Sequence, residues 1–339
     1  MRQQIDRAEL AKRPSMHDVA RRVGVSAKTV SRVLNEPSTV SPETRDAVNE
    51  AITALGYRRN DAARALKTNS SHLIGILTTD SAQYGMVTTL AAVEAAGRRR
   101  GFSTLITMVP GAERADIRAA AERQLELGVA GIVTLLPHWG ADEGIAEVAT
   151  FAPVVNTGGE TRSADFGLVA ADQARGALLA LEHVASLGAR RIVEIAGPRE
   201  WSGARRRHRA IVGGVTDLGL DLVASVQGDW SSGSGYRLGG AYRGRALPDA
   251  FVVGNDLMAL GLLAALHEQG RRVPDDVFVT GFDDMPGSES FIPPLTTVRP
   301  PFAELGELAV DVLLEGSYAG HHALIAPELV VRRSAPRSR

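Results

Sequence analysis

The first sixty residues repeat their apolar positions with the period of short amphipathic helices. Serine stands where each helix would begin, a residue whose side chain satisfies free amides at a helix N-terminus. The pattern predicts one helix after Ser15, a second from Ser26 through Leu34, and a third from Ser41 to the terminator Gly56. A polar loop separates the last two. The head of the chain is therefore predicted to be a small all-α unit.

From residue 72 the pattern changes to short apolar runs that alternate with alanine-rich helical segments. The runs lie at 73–79, 104–109, 131–136, 191–197, 249–254 and 277–282. The helical segments include 86–99, 113–127, 173–187 and 257–269. Runs that are apolar on both faces and separated by helices are typical of parallel sheets covered on both sides. The length of this part predicts an α/β body of two lobes.

Composition narrows the classes of protein that the 339 residues can form. No apolar run reaches the roughly 18 residues that a membrane-spanning helix needs. The chain holds no cysteine, which excludes disulfides, thiolate catalysis and cysteine-bound metals. The N-terminus lacks the apolar core of a secretory signal, so we expect a cytoplasmic protein.

Charge is distributed unevenly along the chain. Residues 1–70 carry 13 Lys and Arg against 8 Asp and Glu, whereas the remainder carries 25 against 31. Helix, glycine turn and helix at this spacing form a helix-turn-helix, whose second helix enters the major groove of DNA. Lys28 and Arg32 lie four residues apart on its exposed face, with Thr29 and Ser31 placed for phosphate contacts. The alternative is a three-helix domain with a solvated basic face.

Polar residues follow the apolar runs of the body at the points where strands would end. Asp80, Asn255, Asp256 and Asp283 come directly after such runs, and Arg207 follows another by a few residues. Ligands of doubly wound sheets bind beyond the carboxyl ends of strands. Carboxylate, guanidinium and amide groups together suit a polyhydroxylated ligand. Capping is the alternative role for Asn255 and Asp283, and Asp256 is expected to be the helix cap.

Two sets of segments resemble the lac-repressor family (LacI/GalR) of bacterial transcription regulators. The first is MHDVARRVGVSAKTVSRVLNEPSTVSPETRDAVNEAITALGYRRNDAARAL, residues 16–66. The second, in the family's order, is AGP (196–198), GDWSSGSGY (228–236), VVGNDLMALGLL (252–263), GFDD (281–284) and IPPLTTV (292–298). The resemblance covers residues 15 to about 333.

The resemblance implies a helix-turn-helix headpiece on a two-lobed body of periplasmic-binding-protein type. The implied divisions are an extension (1–14), headpiece (15–59), hinge (60–71) and effector-binding body (72–339), with lobe crossings near 171, 300 and 327. It implies a homodimer that binds double-stranded operator DNA, with Leu66 as a wedge in the minor groove. The implied DNA contacts are Ser26, Ala27, Lys28, Thr29, Ser31, Arg32, Asn35, Asn60, Ala63 and Leu66. Arg59 stands where the family often has proline.

For the body, the resemblance implies a small-molecule effector, with a sugar expected. The effector contacts would be Asp80, Arg207, Trp230, Asn255, Asp283 and Phe302. Trp230 would form an aromatic wall, its alternative being a partly buried core residue. The GDWS and IPPLTT segments resemble the repressor that gives the family its name more than the family at large, which favours a galactoside. Gly158 and Pro300 stand where polar pocket residues are common.

No nucleotide-binding, zinc-protease or serine-hydrolase motif occurs, so we expect neither an enzyme nor a cofactor or metal. His321 and His322 are expected in a surface loop. The segment after Glu328 has no leucine heptads, so a dimer rather than a tetramer is expected. The function expected is a repressor of a carbohydrate operon that its sugar releases from a palindromic operator. The alternatives are a regulator whose ligand tightens DNA binding and a sugar-binding transport component.

Overall fold

The computed structural model describes residues 14–58, 72–159 and 163–337. Its internal contacts divide the chain into two units that meet in sequence at residues 70 and 71. We call residues 14–58 the head and the described residues from 72 onward the body. The predicted hinge residues Asn60, Ala63 and Leu66, Arg59 and most of the N-terminal extension lie outside the described residues.

The head holds three helices, α1 (Met16–Val23), α2 (Ala27–Asn35) and α3 (Pro42–Leu55), with a 3-10 turn at Pro37–Thr39. Their starts are confirmed as predicted, since Ser15, Ser26 and Ser41 each accept a hydrogen bond from a backbone amide of the first turn. Gly24 and Gly56 end α1 and α3 with left-handed backbones, φ 76° and 62°.

A small apolar core holds the three helices of the head together. Val19 of α1, Val30 of α2 and Val48 of α3 are fully buried against one another. They come from the apolar face of each helix, so the opposite face of α2 is left to solvent. Packing alone thus fixes which side chains of α2 the head presents.

Lobe 1 of the body comprises residues 72–171 and 302–325 around one six-stranded sheet. The sheet order is β11-β5-β4-β3-β1-β2, and every pair is parallel. Its elements are β1 (Leu73–Thr78), α4 (Tyr84–Arg99), β2 (Ser103–Met108), α5 (Arg114–Glu126), β3 (Ile132–Leu135), α6 (Ala141–Ala149), β4 (Val154–Asn156), β5 (Gly167–Ala171), α11 (Phe302–Glu315) and β11 (His322–Ile325).

Lobe 2 comprises residues 173–299 and 328–337 around a second six-stranded sheet, in the order β12-β10-β9-β8-β6-β7. Only β12 runs antiparallel to its neighbour. Its elements are α7 (Gln173–Ser186), β6 (Arg191–Ala196), α8 (Ser202–Asp217), β7 (Asp221–Gln227), α9 (Ser232–Gly240), β8 (Ala250–Val253), α10 (Asp256–Glu268), β9 (Phe278–Phe282), a 3-10 turn (Ser288–Ser290), β10 (Thr296–Arg299) and β12 (Glu328–Val330).

The two-lobed α/β body with parallel sheets predicted from the sequence is confirmed. The chain passes between the lobes after β5, after β10 and after β11. The expectation of a surface loop for His321 and His322 is wrong for His322, which begins β11 at the edge of the lobe 1 sheet. Across the described ranges, no helix is both long and apolar enough to span a membrane.

The lobes also touch directly through their backbones. His138 of lobe 1 and Trp201 of lobe 2 form an antiparallel bridge. On either side of it, the Trp139 amide donates to the Glu200 carbonyl at 2.7 Å and the Ser202 amide donates to the Pro137 carbonyl at 2.8 Å. This contact, the inter-lobe bridge, lies where the loop after β3 meets the start of α8.

Candidate functional site: a basic helix face and an inter-lobe cleft

The outward face of α2 carries the charged residues predicted to bind DNA. Lys28 and Arg32 are exposed, while Val30 and Val33 on the other face are buried. Ala27 packs partly against the head's core. The cations therefore project from a helix that is fixed by the core beneath it.

Hydrogen bonds along α2 hold the remaining polar residues of that face. Ser26 accepts from the Thr29 amide at 3.0 Å, and their hydroxyls lie 2.9 Å apart. The Asn35 side-chain amide donates to the Ser31 carbonyl at 2.8 Å and to its hydroxyl at 3.2 Å. Ser26 thus caps the helix, and hydroxyl and amide groups line up beside the two cations.

A cleft of about 120 Å³ lies between the lobes of the body, at the carboxyl ends of strands from both sheets. The volume is below the roughly 300–1,000 Å³ of sites for drug-sized ligands, so the cleft suits a small molecule. Five of the six predicted effector residues line the cleft, namely Arg207, Trp230, Asn255, Asp283 and Phe302. Asp80 is exposed and is not among the residues that line the cleft.

Arg207 of α8 is held between two aromatic rings. Its guanidinium carbon lies 4.2 Å from the ring centre of Phe282 and 5.0 Å from that of Trp230. The planar guanidinium stacks well on aromatic faces and still presents donors at its edge. Burial lowers the pKa of Arg207, opposed by the charges of Asp283 and Glu194. Its Nε is buried and makes no hydrogen bond within the described residues.

Asp283 follows β9 with a left-handed backbone, φ 109°, that a non-glycine residue seldom adopts. Burial raises the pKa of its carboxyl to about 7, although the charge of Arg207 opposes the shift. A Cβ placed on Gly85 of lobe 1 would lie 3.8 Å from Asp283 Oδ1. The carboxyl therefore faces across the cleft, and the strained backbone positions it there.

Asp284, the next residue, has the opposite environment. Its carboxylate pairs with Arg299 at 2.6 Å and with Arg332 at 2.7 Å. Burial opposes ionisation, but the hydrogen bonds from Arg332 and Arg299 prevail and lower its pKa. The adjacent carboxylates thus divide roles, since Asp284 anchors the loop and Asp283 is left to the cleft.

Asn255, rather than Asp256, caps α10, which corrects the expected assignment. The Asn255 Oδ1 accepts from the Met258 amide at 2.9 Å, and its Nδ2 donates to the Trp230 carbonyl at 3.1 Å. Asp256 points inward, where it accepts from the Thr297 hydroxyl and the Met285 amide. Burial and then the charge of Asp283 raise the Asp256 pKa well above its ordinary value. Asn255 lines the cleft but has most of its hydrogen-bonding capacity committed to the fold.

Trp230 is 4% exposed and belongs to the core of lobe 2. Most of its side chain is therefore buried as a core aromatic, the alternative role considered from the sequence. Its ring lies edge-on to Trp201 at 5.8 Å and packs over Gly197, where any Cβ would overlap it. The indole Nε1 is buried, and no group of the described residues forms a hydrogen bond with it. Trp230 therefore supports Arg207 and edges the cleft instead of forming a broad wall.

Further lining residues were not singled out from the sequence, among them Gln83, Thr157, Gln173 and Trp201. Gln173 begins α7 immediately after the first lobe crossing, and its Oε1 is buried without a partner. Its position just after the run 167–171 could have indicated it, as such positions did for Asp283. The absence of a side chain at Gly158 also has a physical reason, since a Cβ there would lie 2.7 Å from the Leu136 amide nitrogen.

Comparisons with known proteins match both parts of the chain. Residues 15–60 match the model of "Bacterial regulatory proteins, lacI family", and residues 181–335 match a periplasmic binding protein-like domain. The chain is 33% identical to the lactose operon repressor of Escherichia coli over 325 residues, covering 94% of this chain and 90% of the repressor. It is 30% identical over 332 residues to the transcriptional repressor PurR of Haemophilus influenzae, covering 94% and 98%.

A solved structure is similar over nearly the whole chain. The lac repressor dimer bound to operator and the anti-inducer ONPF superimposes with a TM-score of 0.88 at 31% identity, covering 96% of this chain and all of that one. Fold, order of parts and sequence therefore agree. The chain belongs to the lacI family of bacterial regulatory proteins and is a DNA-binding transcriptional repressor with a helix-turn-helix head and an effector-binding α/β body.

Proposed function

We propose that the protein is a homodimeric repressor of a carbohydrate operon in the cytoplasm, released from an inverted-repeat operator by a small sugar. The observation that carries the sugar assignment is the placement of Arg207 and Asp283. A stacked guanidinium with an unused donor and an inward-facing carboxyl meet in a narrow, aromatic-lined cleft. Together they match the donors and acceptors of vicinal hydroxyls.

The DNA-binding half of the proposal rests on α2. Lys28 and Arg32 can donate to guanine O6 and N7 in the major groove, while Thr29 and Ser31 suit phosphate oxygens. The lac repressor structure to which the chain is similar is a dimer bound to operator. Two heads related by a twofold axis would read two half-sites, which makes the operator an inverted repeat.

The size of the cleft and its polar groups limit the ligand to a small, uncharged or weakly charged polyol. The aromatic ring of Phe302 can cover the apolar face of a pyranose. A galactoside is favoured by likeness to the lactose operon repressor. Gly158 and Pro300 line the cleft at positions where polar pocket residues are common in the family, and neither has a side chain that can bond a hydroxyl. The sugar substituents therefore meet fewer hydrogen-bonding groups at these two positions.

Coupling between the two sites requires that the sugar bind one arrangement of the lobes more tightly than another. The cleft is lined by residues of both lobes, and the inter-lobe bridge stands beside it. A ligand that changes the separation of the lobes changes the spacing of two heads in a dimer, and operator affinity follows.

The test measures operator binding by fluorescence anisotropy, with an inverted-repeat duplex selected from a random library by the full-length protein. Galactosides, other small sugars and purine bases are then added at fixed protein concentration. We expect a sugar to weaken operator binding and a scrambled duplex to bind weakly throughout. Tighter operator binding with a purine or sugar would establish a corepressor instead, and turnover of any sugar would contradict a non-catalytic role.

A further inference from the structure

A second cavity, of about 340 Å³, lies in lobe 2 apart from the cleft. It occupies the space between the first turns of α8 and the carboxyl ends of β6 and β7. Its floor is apolar, formed by alanine, glycine and valine. Its polar lining residues are Arg199, Arg205, His208, Arg209, Ser225 and Gln227.

The charge around this cavity is strongly positive. Three arginines line it, and neither Arg199 nor Arg205 forms an ion pair with a carboxylate within the described ranges. The acidic group beside it is Glu194, which is 3% exposed and bonded to His208 and Ser225. The N-terminal end of the α8 dipole adds a further positive potential. No Asp or Glu is among the residues that line the cavity.

His208 is fixed in the wall of this cavity. Its Nδ1 lies 2.7 Å from Glu194 Oε2, and the Ser225 hydroxyl donates to the same oxygen at 2.6 Å. A buried carboxylate that engages one ring nitrogen sets the orientation of the ring. Because Glu194 and Ser225 both meet at Nδ1, this trio is not a nucleophilic triad. Instead, Glu194 and Ser225 hold the imidazole by Nδ1, so that its other ring nitrogen, Nε2, is left for a ligand.

We propose that this cavity is a second ligand site, for a small phosphate monoester. A phosphate needs several donors that converge from one side, which Arg199, Arg205, Arg209 and His208 provide. Ser225 and Gln227 can bond hydroxyls of the organic part, and the apolar floor covers its carbon skeleton. The volume lies in the range of small-molecule sites.

The site is connected to the contact between the lobes through one of its own arginines. The Arg205 guanidinium carbon lies 4.3 Å from the ring centre of Trp139, and that of Arg209 lies 5.6 Å from it. Trp139 belongs to lobe 1 and to the inter-lobe bridge. A phosphate that draws Arg205 or Arg209 toward lobe 2 competes with this stacking, so occupancy of the cavity weakens one contact between the lobes.

The test is isothermal titration of the full-length protein with glycerol 3-phosphate and ribose 5-phosphate, and with glycerol and ribose as matched neutral probes. In Arg207→Gln, in which the sugar cleft is disabled, we expect saturable binding of a phosphate ester and none of the matched neutral probe at the same concentrations. Replacing the exposed cavity arginines, Arg199→Gln with Arg209→Gln, is expected to weaken binding at least about 10-fold, since bonds to charged groups are the strong ones.

Three controls locate the anion. Arg243→Gln, an exposed arginine of lobe 2 outside the cavity, and Lys28→Gln on the head should leave ester binding unchanged. Arg207→Gln should leave it unchanged as well, which separates this site from the cleft. Three outcomes would each overturn the proposal: binding of neither ester, binding by the double variant equal to that of the native protein, or loss of binding only in Arg207→Gln or Lys28→Gln.

Discussion

The guanidinium of Arg207 stacks on the ring of Phe282, with 4.2 Å between the guanidinium carbon and the ring centre. Phe282 ends β9, and the next residue is the cleft carboxylate Asp283. The arginine and the carboxylate are therefore linked twice, by charge and by a shared aromatic neighbour. A ligand that moves Arg207 also acts on the end of β9.

Arg207→Ala is expected to leave operator affinity intact and to abolish release by sugar. The substitution removes charge-assisted bonds to the ligand, which contribute about 1.5–3 kcal/mol each, while the head is unchanged. Operator binding by anisotropy, titrated with the sugar that releases the native protein, measures both quantities. A variant that is still released at the native sugar concentration would refute the assignment of the cleft. The matched control is Arg243→Ala, an exposed arginine of the same lobe.

Asp283→Asn is expected to change how stability depends on pH. The carboxyl's pKa is raised to about 7 in the folded protein, above the value near 4 of the unfolded chain. Its contribution to stability is therefore full below pH of about 4 and is lost as pH rises through about 7. Amide cannot ionise, so the variant should gain on the native protein by on the order of 2 kcal/mol between pH 5 and 8.

Thermal or urea unfolding of both proteins at the two pH values measures this difference. Asp80→Asn is the control, because Asp80 is exposed and is not among the residues that line the cleft. A difference between Asp283→Asn and the native protein that stays constant with pH would mean that the carboxyl is solvated, contrary to the structure.

Lys28→Ala is expected to change base preference in the half-site rather than weaken binding to all DNA. Loss of a contact to a base costs about 1–3 kcal/mol at the matching base pair and relaxes discrimination there. Affinities for a set of operators with single base-pair changes show which position loses its preference. An equal loss on operator and random duplex would assign Lys28 to phosphate contact instead.

Gly281→Ala is expected to destabilise the body by about 1–3 kcal/mol, the cost of overpacking a core. A Cβ at Gly281 would lie 2.3 Å from Asp256 Oδ1 and 2.7 Å from Leu295, both buried. The displaced Asp256 carboxyl holds the Met285 amide, so the loop that carries Asp283 should shift and sugar affinity should fall. Unfolding in urea and sugar titration measure the two effects.

Gly213→Ala on α8 provides the matched comparison. No atom lies within 4 Å of a Cβ at that position, and alanine favours a helix interior over glycine by about 0.5–1 kcal/mol. It should stabilise the protein slightly. Equal effects of the two substitutions would show that the space around Gly281 is not as tight as described.

The head could be predicted from the sequence nearly residue by residue. Its helices are limited by local signals, namely serine caps and glycine terminators, and these act within four or five residues of chain. Six strands of the body, β1, β2, β3, β6, β8 and β9, were predicted from apolar runs, whereas the internal strands β4, β5 and β10 were not. Edge strand β7 was not predicted, since its alternating exposed and half-buried residues resemble neither pattern.

The details of the cleft depended on contacts that the sequence does not display. Asn255 and Asp256 are both capable of capping α10, and the choice follows from Thr297 and Met285, which bind Asp256 from distant parts of lobe 2. Burial of Trp230 likewise depends on Trp201 and on the bare backbone of Gly197. A residue at the end of a strand can be located in advance, but its partners come from the other lobe or another strand.

The inter-lobe bridge can be either formed or broken, and these two states correspond to lobes in contact and lobes apart at this point. The Trp139 and Ser202 amides are bonded across the lobes, so full separation of the lobes at that point requires both bonds to break. Exchange of these two amide protons therefore reports on separation of the lobes. In hydrogen–deuterium exchange these two amides are expected to exchange through separation of the lobes, without opening of the flanking strands.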